Sequence, residues 1–80
     1  MIAGGVIKIY PNPSIEGIQI ISSDILEELK LIDISGTELQ SKFPKSKYFQ
    51  LHFDDYSPGI YLLNIQHGGI LETHKIVITK

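Results

Sequence analysis

The sequence predicts an all-β chain, and three observations carry that reading. Short stretches in which apolar and polar residues alternate recur along its length, the period of half-buried strands. Gly, Pro, Asn, Asp and Ser separate these stretches at short intervals, and almost nothing between them reads as helix. The clearest pattern closes the chain. From Gly59 to Ile65, Tyr61, Leu63 and Ile65 fall on one face and Asn64 and Gln66 on the other. Gly68-Gly69 then supplies the positive φ angles of a two-residue hairpin turn, and the chain returns through Thr73 to Lys80.

Taken in order, residues 1–5 (Met-Ile-Ala-Gly-Gly) are small and read as a linker remnant, with one domain over residues 6–80. Val6 to Tyr10 alternates, with Ile7 and Ile9 together, and is the first expected strand. Pro11-Asn12-Pro13 ends it, because two prolines remove two backbone donors and push the residues before them extended. Ile18 to Ile21 is the second strand, with Ile18 and Ile20 facing in. Asp24 followed by Glu27 has the spacing of a capping box, so one short helical turn at Asp24–Glu27 competes with a strand there. Leu29 to Ile34 is the third strand, and Ser35-Gly36 turns it into Thr37 to Gln40. Ser41 to Lys47 reads as an exposed loop. Tyr48 to Phe53 alternates cleanly with Phe49, Leu51 and Phe53 on one side, and Asp54 to Gly59 is a turn by composition.

About seven antiparallel-type strands at this spacing point to an immunoglobulin-like β-sandwich, with a small barrel as the runner-up. The expected core is Ile7, Ile9, Ile18, Ile20, Leu31, Ile32, Ile34, Leu39, Phe49, Leu51, Tyr61, Leu63, Ile65, Ile76 and Ile78. At 80 residues without cysteine, the fold has neither disulfide nor thiolate metal site to lean on. Seven lysines and no arginine against nine acids give a net charge of −2, and the lysines are spread out, so no nucleic-acid footprint is present. No apolar run approaches the roughly 18 residues of a membrane span, and no signal-peptide pattern is present.

The residues of types that carry chemistry have simpler readings. His52 and His74 fall on the outward register of their strands, and His67 lies at the hairpin end with no second histidine or carboxylate at ligand spacing, so no metal is expected. Asp54-Asp55 lacks the alternating ligands of a calcium loop. Glu27 and Glu28, adjacent on an extended segment, point to opposite faces and cannot share one site. No enzyme and no cofactor are expected. Tyr10, Tyr48, Tyr56 and Tyr61 raise a carbohydrate-binding or adhesion module as the alternative function, with Tyr48 the ring free to serve it.

Four segments stand in order along the chain: Ile9-Tyr10-Pro11-Asn12-Pro13, Ile34-Ser35-Gly36-Thr37-Glu38-Leu39, Tyr56-Ser57-Pro58-Gly59-Ile60-Tyr61 and Lys75-Ile76-Val77-Ile78-Thr79-Lys80. Together, over about residues 6–80, they resemble the type A C-terminal sorting domain of the Por, or type IX, secretion system of Gram-negative bacteria. Where that family has an aromatic-Asn-x-x-Gly motif, this chain has Asp33 and Ser35 in the neighbourhood. The resemblance implies a targeting module carried on the C-terminal side of an exported cargo that has crossed the inner membrane by a signal peptide. Its partners would be the outer-membrane secretion machinery and a surface sortase-like peptidase, and its destination the cell surface or the medium. By the same resemblance Tyr10, Pro11, Asn12, Pro13, Gly59, Tyr61, Lys75, Ile76, Val77, Ile78 and Lys80 are the recognition residues. A signal read in the folded state needs a self-sufficient domain whose terminal strand is accessible, and strand addition at a sheet edge is one way to read it.

Overall fold

A computed structural model describes residues 6–11 and 16–79. It is all-β, with no helix among the described residues and six strands. They are β1 (Ile7–Tyr10), β2 (Gly17–Asp33), β3 (Glu38–Lys42), β4 (Ser46–His52), β5 (Gly59–His67) and β6 (Ile70–Ile78). All pairings are antiparallel. The expected second and third strands are one 17-residue strand, β2, and it organises the rest. Leu26 pairs with Ser46 on β4 and with His67 on β5, and Leu31 pairs with Gln40 on β3 and with Leu63 on β5. One edge of β2 therefore carries β4 and β3, and the other carries β1 and then β5, beyond which lies β6.

The competing helical turn at Asp24–Glu27 does not form. The segment is extended but irregular: β2 loses its β4 partners between Ile21 and Leu26, and its pairing with β5 slips between Leu26 and Glu28. That slip has a purpose written in the sequence. Ile18, Ile20, Ser22 and Leu26 are buried at even positions, whereas Leu29 and Leu31 are buried at odd ones. Strand geometry alternates strictly, so only an extra residue can bring both sets to the same side. The bulge at Glu27 does this, and the irregularity makes the corner at which the sheet curls.

The two halves close on each other opposite that corner. Gln40 Nε2 on β3 donates to the His52 carbonyl of β4 at 2.8 Å and to the Tyr56 hydroxyl at 2.9 Å. Inside lies one core of Ile18, Ile20, Leu26, Leu29, Leu31, Leu51, Tyr61, Leu63, Ile65, Ile76 and Ile78, with Ile7, Ile9, Leu39, Phe49, Phe53 and Tyr56 packed around it. Two expected core residues are corrected. Ile34 is 78% exposed because it sits in a turn, and Ile32 is only half-buried because it faces outward beside the buried Leu31. Leu26 and Leu29 take inward places instead.

The turn at Ile34 is larger than the two residues expected. Gly36 N donates to the Asp33 carbonyl and Asp33 N to the Thr37 carbonyl, both at 3.0 Å, with Gly36 at φ +93°. This is a three-residue loop ending in a left-handed glycine. The expected loop at Ser41–Lys47 shrinks to residues 43–45, since Ser41 and Lys42 pair with β2 in β3 and Ser46 pairs with Leu26. Even there Lys45 N donates to the Leu26 carbonyl at 3.0 Å, keeping the connection fastened to β2.

Candidate functional site

Two segments distant in sequence meet at the end of the β5–β6 ribbon farthest from the corner, the open end of the domain. The turn over Asp33, Ile34 and Ser35 and the start of β5 at Pro58, Gly59 and Ile60 border a shallow concavity of about 190 Å³. Val77 of β6 lies alongside, paired with Ile60. Asp33 holds the turn's shape: its Oδ1 accepts the Ser35 hydroxyl at 2.6 Å, Ser35 N at 2.9 Å and Thr37 N at 3.0 Å. These donors, the Ser35 hydroxyl foremost, hold its carboxyl below the ordinary value of 3.8. A short side-chain acceptor at this place is what stabilises the turn, so the aspartate does the work an asparagine carbonyl would do.

Tyr61 anchors the same end from inside. It is buried and its hydroxyl donates to the Ser57 carbonyl at 2.6 Å, fastening the turn before β5 to the strand, as tyrosines do at sandwich corners. Tyr56 packs on Tyr61 with ring centroids 5.9 Å apart, and Phe53 on Tyr56 at 6.3 Å. Burial pushes the Tyr56 phenol above its ordinary value, against the opposing effect of the bond from Gln40.

The residues implied as recognition positions fall into three groups. Tyr61, Ile76 and Ile78 are buried and act through the core. Lys75 and Val77 lie on the outer side of the β5–β6 ribbon, whereas Gly59, at φ +155°, is exposed at the start of β5 in the inward register, opposite the buried Ile78. Tyr10 and Pro11 are exposed at the end of β1, joined by a cis peptide bond, and so lie on the other half of the sheet. There Tyr10 and Tyr48 both direct their hydroxyls at Gln19 Oε1, at 3.5 Å and 3.1 Å. Asn12, Pro13, Lys80 and residues 1–5 lie outside the described residues.

The histidines need correcting. His67 is completely buried and does have carboxylate partners: Nδ1 lies 3.2 Å from Asp24 Oδ2, and Nε2 lies 2.6 Å from Glu72 Oε2. His74 shares the inward register of Ile76 and Ile78 rather than facing outward, and its Nε2 lies 3.0 Å from Glu72 Oε1. The hydrogen bond from His67, more than that from His74, holds the Glu72 carboxyl below its ordinary 4.5 despite partial burial. Part of this was legible. A two-residue turn at Gly68-Gly69 sets Ile65 opposite Glu72 and His67 opposite Ile70, so His67, Glu72 and His74 share one face. The approach of Asp24 depends on the corner in β2 and leaves no mark in the sequence. Among the described residues, no group of three or more His, Asp or Glu side chains is arranged to hold a metal ion.

A family model for the secretion system C-terminal sorting domain matches residues 8–79. The chain belongs to that family. The match runs through all six strands, from within β1 to just past the end of β6, so the whole curled sheet is the sorting domain. No curated protein matches the chain. The family is one of sorting signals for type IX secretion rather than of catalysts. Membership gives the open end its context: of the four segments on which the sequence resemblance stood, Ile34–Leu39 and Tyr56–Tyr61 contribute residues that border the concavity, and the described part of Lys75–Lys80 pairs with β5 beside it. Among the described residues no helix is long and apolar enough to cross a membrane.

Proposed function

We propose that this sorting domain is read in its folded state by the outer-membrane translocon of type IX secretion and carries a cargo joined to its N-terminal side from the periplasm to the cell surface. A surface sortase-like peptidase then removes it. The observation that carries the reading is the family match over residues 8–79 together with the place of β6: nine consecutive residue pairs tie it to β5, and Ile76 and Ile78 plug the core. β6 is thus part of the fold and, among the described strands, the last in the strand order. The outward groups at the open end, Ile34, Ile60 and Val77, add an apolar surface to that edge.

The test is a reporter carrying a signal peptide and this domain at its C-terminus, expressed in a bacterium with a type IX system. Removing Lys75–Lys80 is expected to strand the reporter in the periplasm, and unchanged surface delivery would reject the reading. The alternative of a glycan-binding or adhesion module gains one observation, the two exposed rings of Tyr10 and Tyr48 flanking Gln19. It requires the isolated domain to retain a glycan or partner in a pull-down and Tyr48→Ala to weaken that, whereas a sorting signal shows no such dependence.

A further inference from the structure

At the corner of the domain, away from the open end, a buried histidine lies between carboxylates supplied by two different strands. His67 closes β5 and is 0% exposed. Asp24 of β2 faces its Nδ1 at 3.2 Å, and Glu72 of β6 faces its Nε2 at 2.6 Å. A carboxylate offers only acceptors, so satisfying both contacts takes an N–H on each ring nitrogen. A ring with a single proton turns a lone pair toward one of the carboxylates, and a buried pair of facing acceptors is costly.

The place matters as much as the pairing. Asp24 lies in the stretch of β2 without β4 partners, so little ladder holds it. Its N–H is taken by the Ser22 hydroxyl at 3.0 Å, which fixes the aspartate's backbone. Gly68 rests on its carboxylate: a Cβ there would lie 2.7 Å from Asp24 Oδ2. The charged and titratable groups in contact with the ring are Asp24 from β2 and Glu72 from β6, with His74 joined through the second oxygen of Glu72 at 3.0 Å.

We propose that Asp24, His67 and Glu72 form a proton-dependent latch, closed while the ring carries both protons, which fastens the tip of the β5–β6 hairpin to the corner of β2 and releases the tip when one ring proton passes to water. The latch goes beyond the sorting reading and stands or falls independently of it. Release frees the tip alone, because the other end of the hairpin is held by Tyr61, Ile76 and Ile78 in the core.

The test follows the whole 80-residue chain by NMR between about pH 5 and about pH 8, the span in which histidine changes charge. At the lower pH the His67 ring is expected to show two protonated nitrogens. On raising the pH, amide protection over Gln66–Glu72, corrected for intrinsic exchange, should fall about tenfold or more, the effect of losing one charge-assisted hydrogen bond, while β1 and β4 hold theirs. Glu72→Gln should flatten this dependence to within about twofold, since a side-chain amide either accepts from Nε2 or donates to it. A bare ring nitrogen at the lower pH overturns the proposal. So does protection that is unchanged with pH, a loss spread evenly over all strands, or a Glu72→Gln variant with the wild-type pH dependence. Should that variant fail to fold, the measurements on the unaltered chain decide.

Discussion

The two ends of the β5–β6 ribbon share one uninterrupted ladder, from Gly59 opposite Ile78 to His67 opposite Ile70, yet opposite physics holds them. At the open end the contacts are dry: Tyr61, Ile76 and Ile78 in the core, Tyr56 and Phe53 stacked beside them, and one neutral hydrogen bond from Tyr61 to the Ser57 carbonyl. At the corner end the ribbon is held by a buried imidazole, two carboxylates and a second histidine. Identical backbone pairing therefore guarantees no identical response. The dry end should answer to packing and the corner end to charge and pH. For a domain proposed to be recognised along its terminal strand, this keeps the open end fixed while concentrating condition-sensitivity in the tip.

Substitutions in the hairpin turn break the comparison most strongly. Both glycines have left-handed backbones, Gly68 at φ +54° and Gly69 at φ +77°, but only Gly68 is crowded, by the Asp24 carboxylate. Gly68→Ala should cost about 2 kcal/mol, because it adds displacement of Asp24 from His67 to the backbone strain, while Gly69→Ala should cost about 1 kcal/mol. Urea unfolding of the two variants measures the difference, and equal losses would mean that the corner contact contributes little.

At the other end, Tyr61→Phe keeps the packing and removes only the bond to Ser57. A loss of about 1 kcal/mol is expected, with no change in its size across the pH range that opens the corner. A pH-dependent loss would erase the contrast between the ends. The smallest effect is shared by both. Glu72 at the corner and Asp33 at the open end each have a carboxyl held below its ordinary value, so each contributes stability above that value and loses it as pH falls through the folded one. Midpoints of unfolding should therefore decline together below about pH 4, whereas between about pH 5 and about pH 8 only the corner should respond.

Strand-level organisation was legible because alternation is a local property. Ile18 and Ile20, Leu63 and Ile65, and Ile76 and Ile78 announced their inward faces, and all six are buried. What alternation could not show was that the second and third stretches are one strand. Their buried residues sit at opposite parity, which reads as two elements until a bulge at Glu27 reconciles them. The same corner hid the site at His67. Its partner Glu72 follows from the turn at Gly68-Gly69, but Asp24, 43 positions earlier, reaches it only through the bend in β2. Ile34 misled for the complementary reason: it continues the apolar pattern of Ile32, but the turn begins one residue sooner, at the point where Asp33 caps it.

The central claim is that the address is the folded domain rather than a linear tail. Leu63 is fully buried in β5 and belongs to none of the segments that resemble the family's motifs, so Leu63→Asp should unfold the domain with every motif residue unchanged. The decisive measurement is the fraction of intact reporter fusion reaching the surface in a type IX-competent cell. The expected result is retention of the Leu63→Asp fusion in the periplasm beside normal delivery of the unaltered one. Surface delivery of the unfolded variant at the unaltered level would contradict the account.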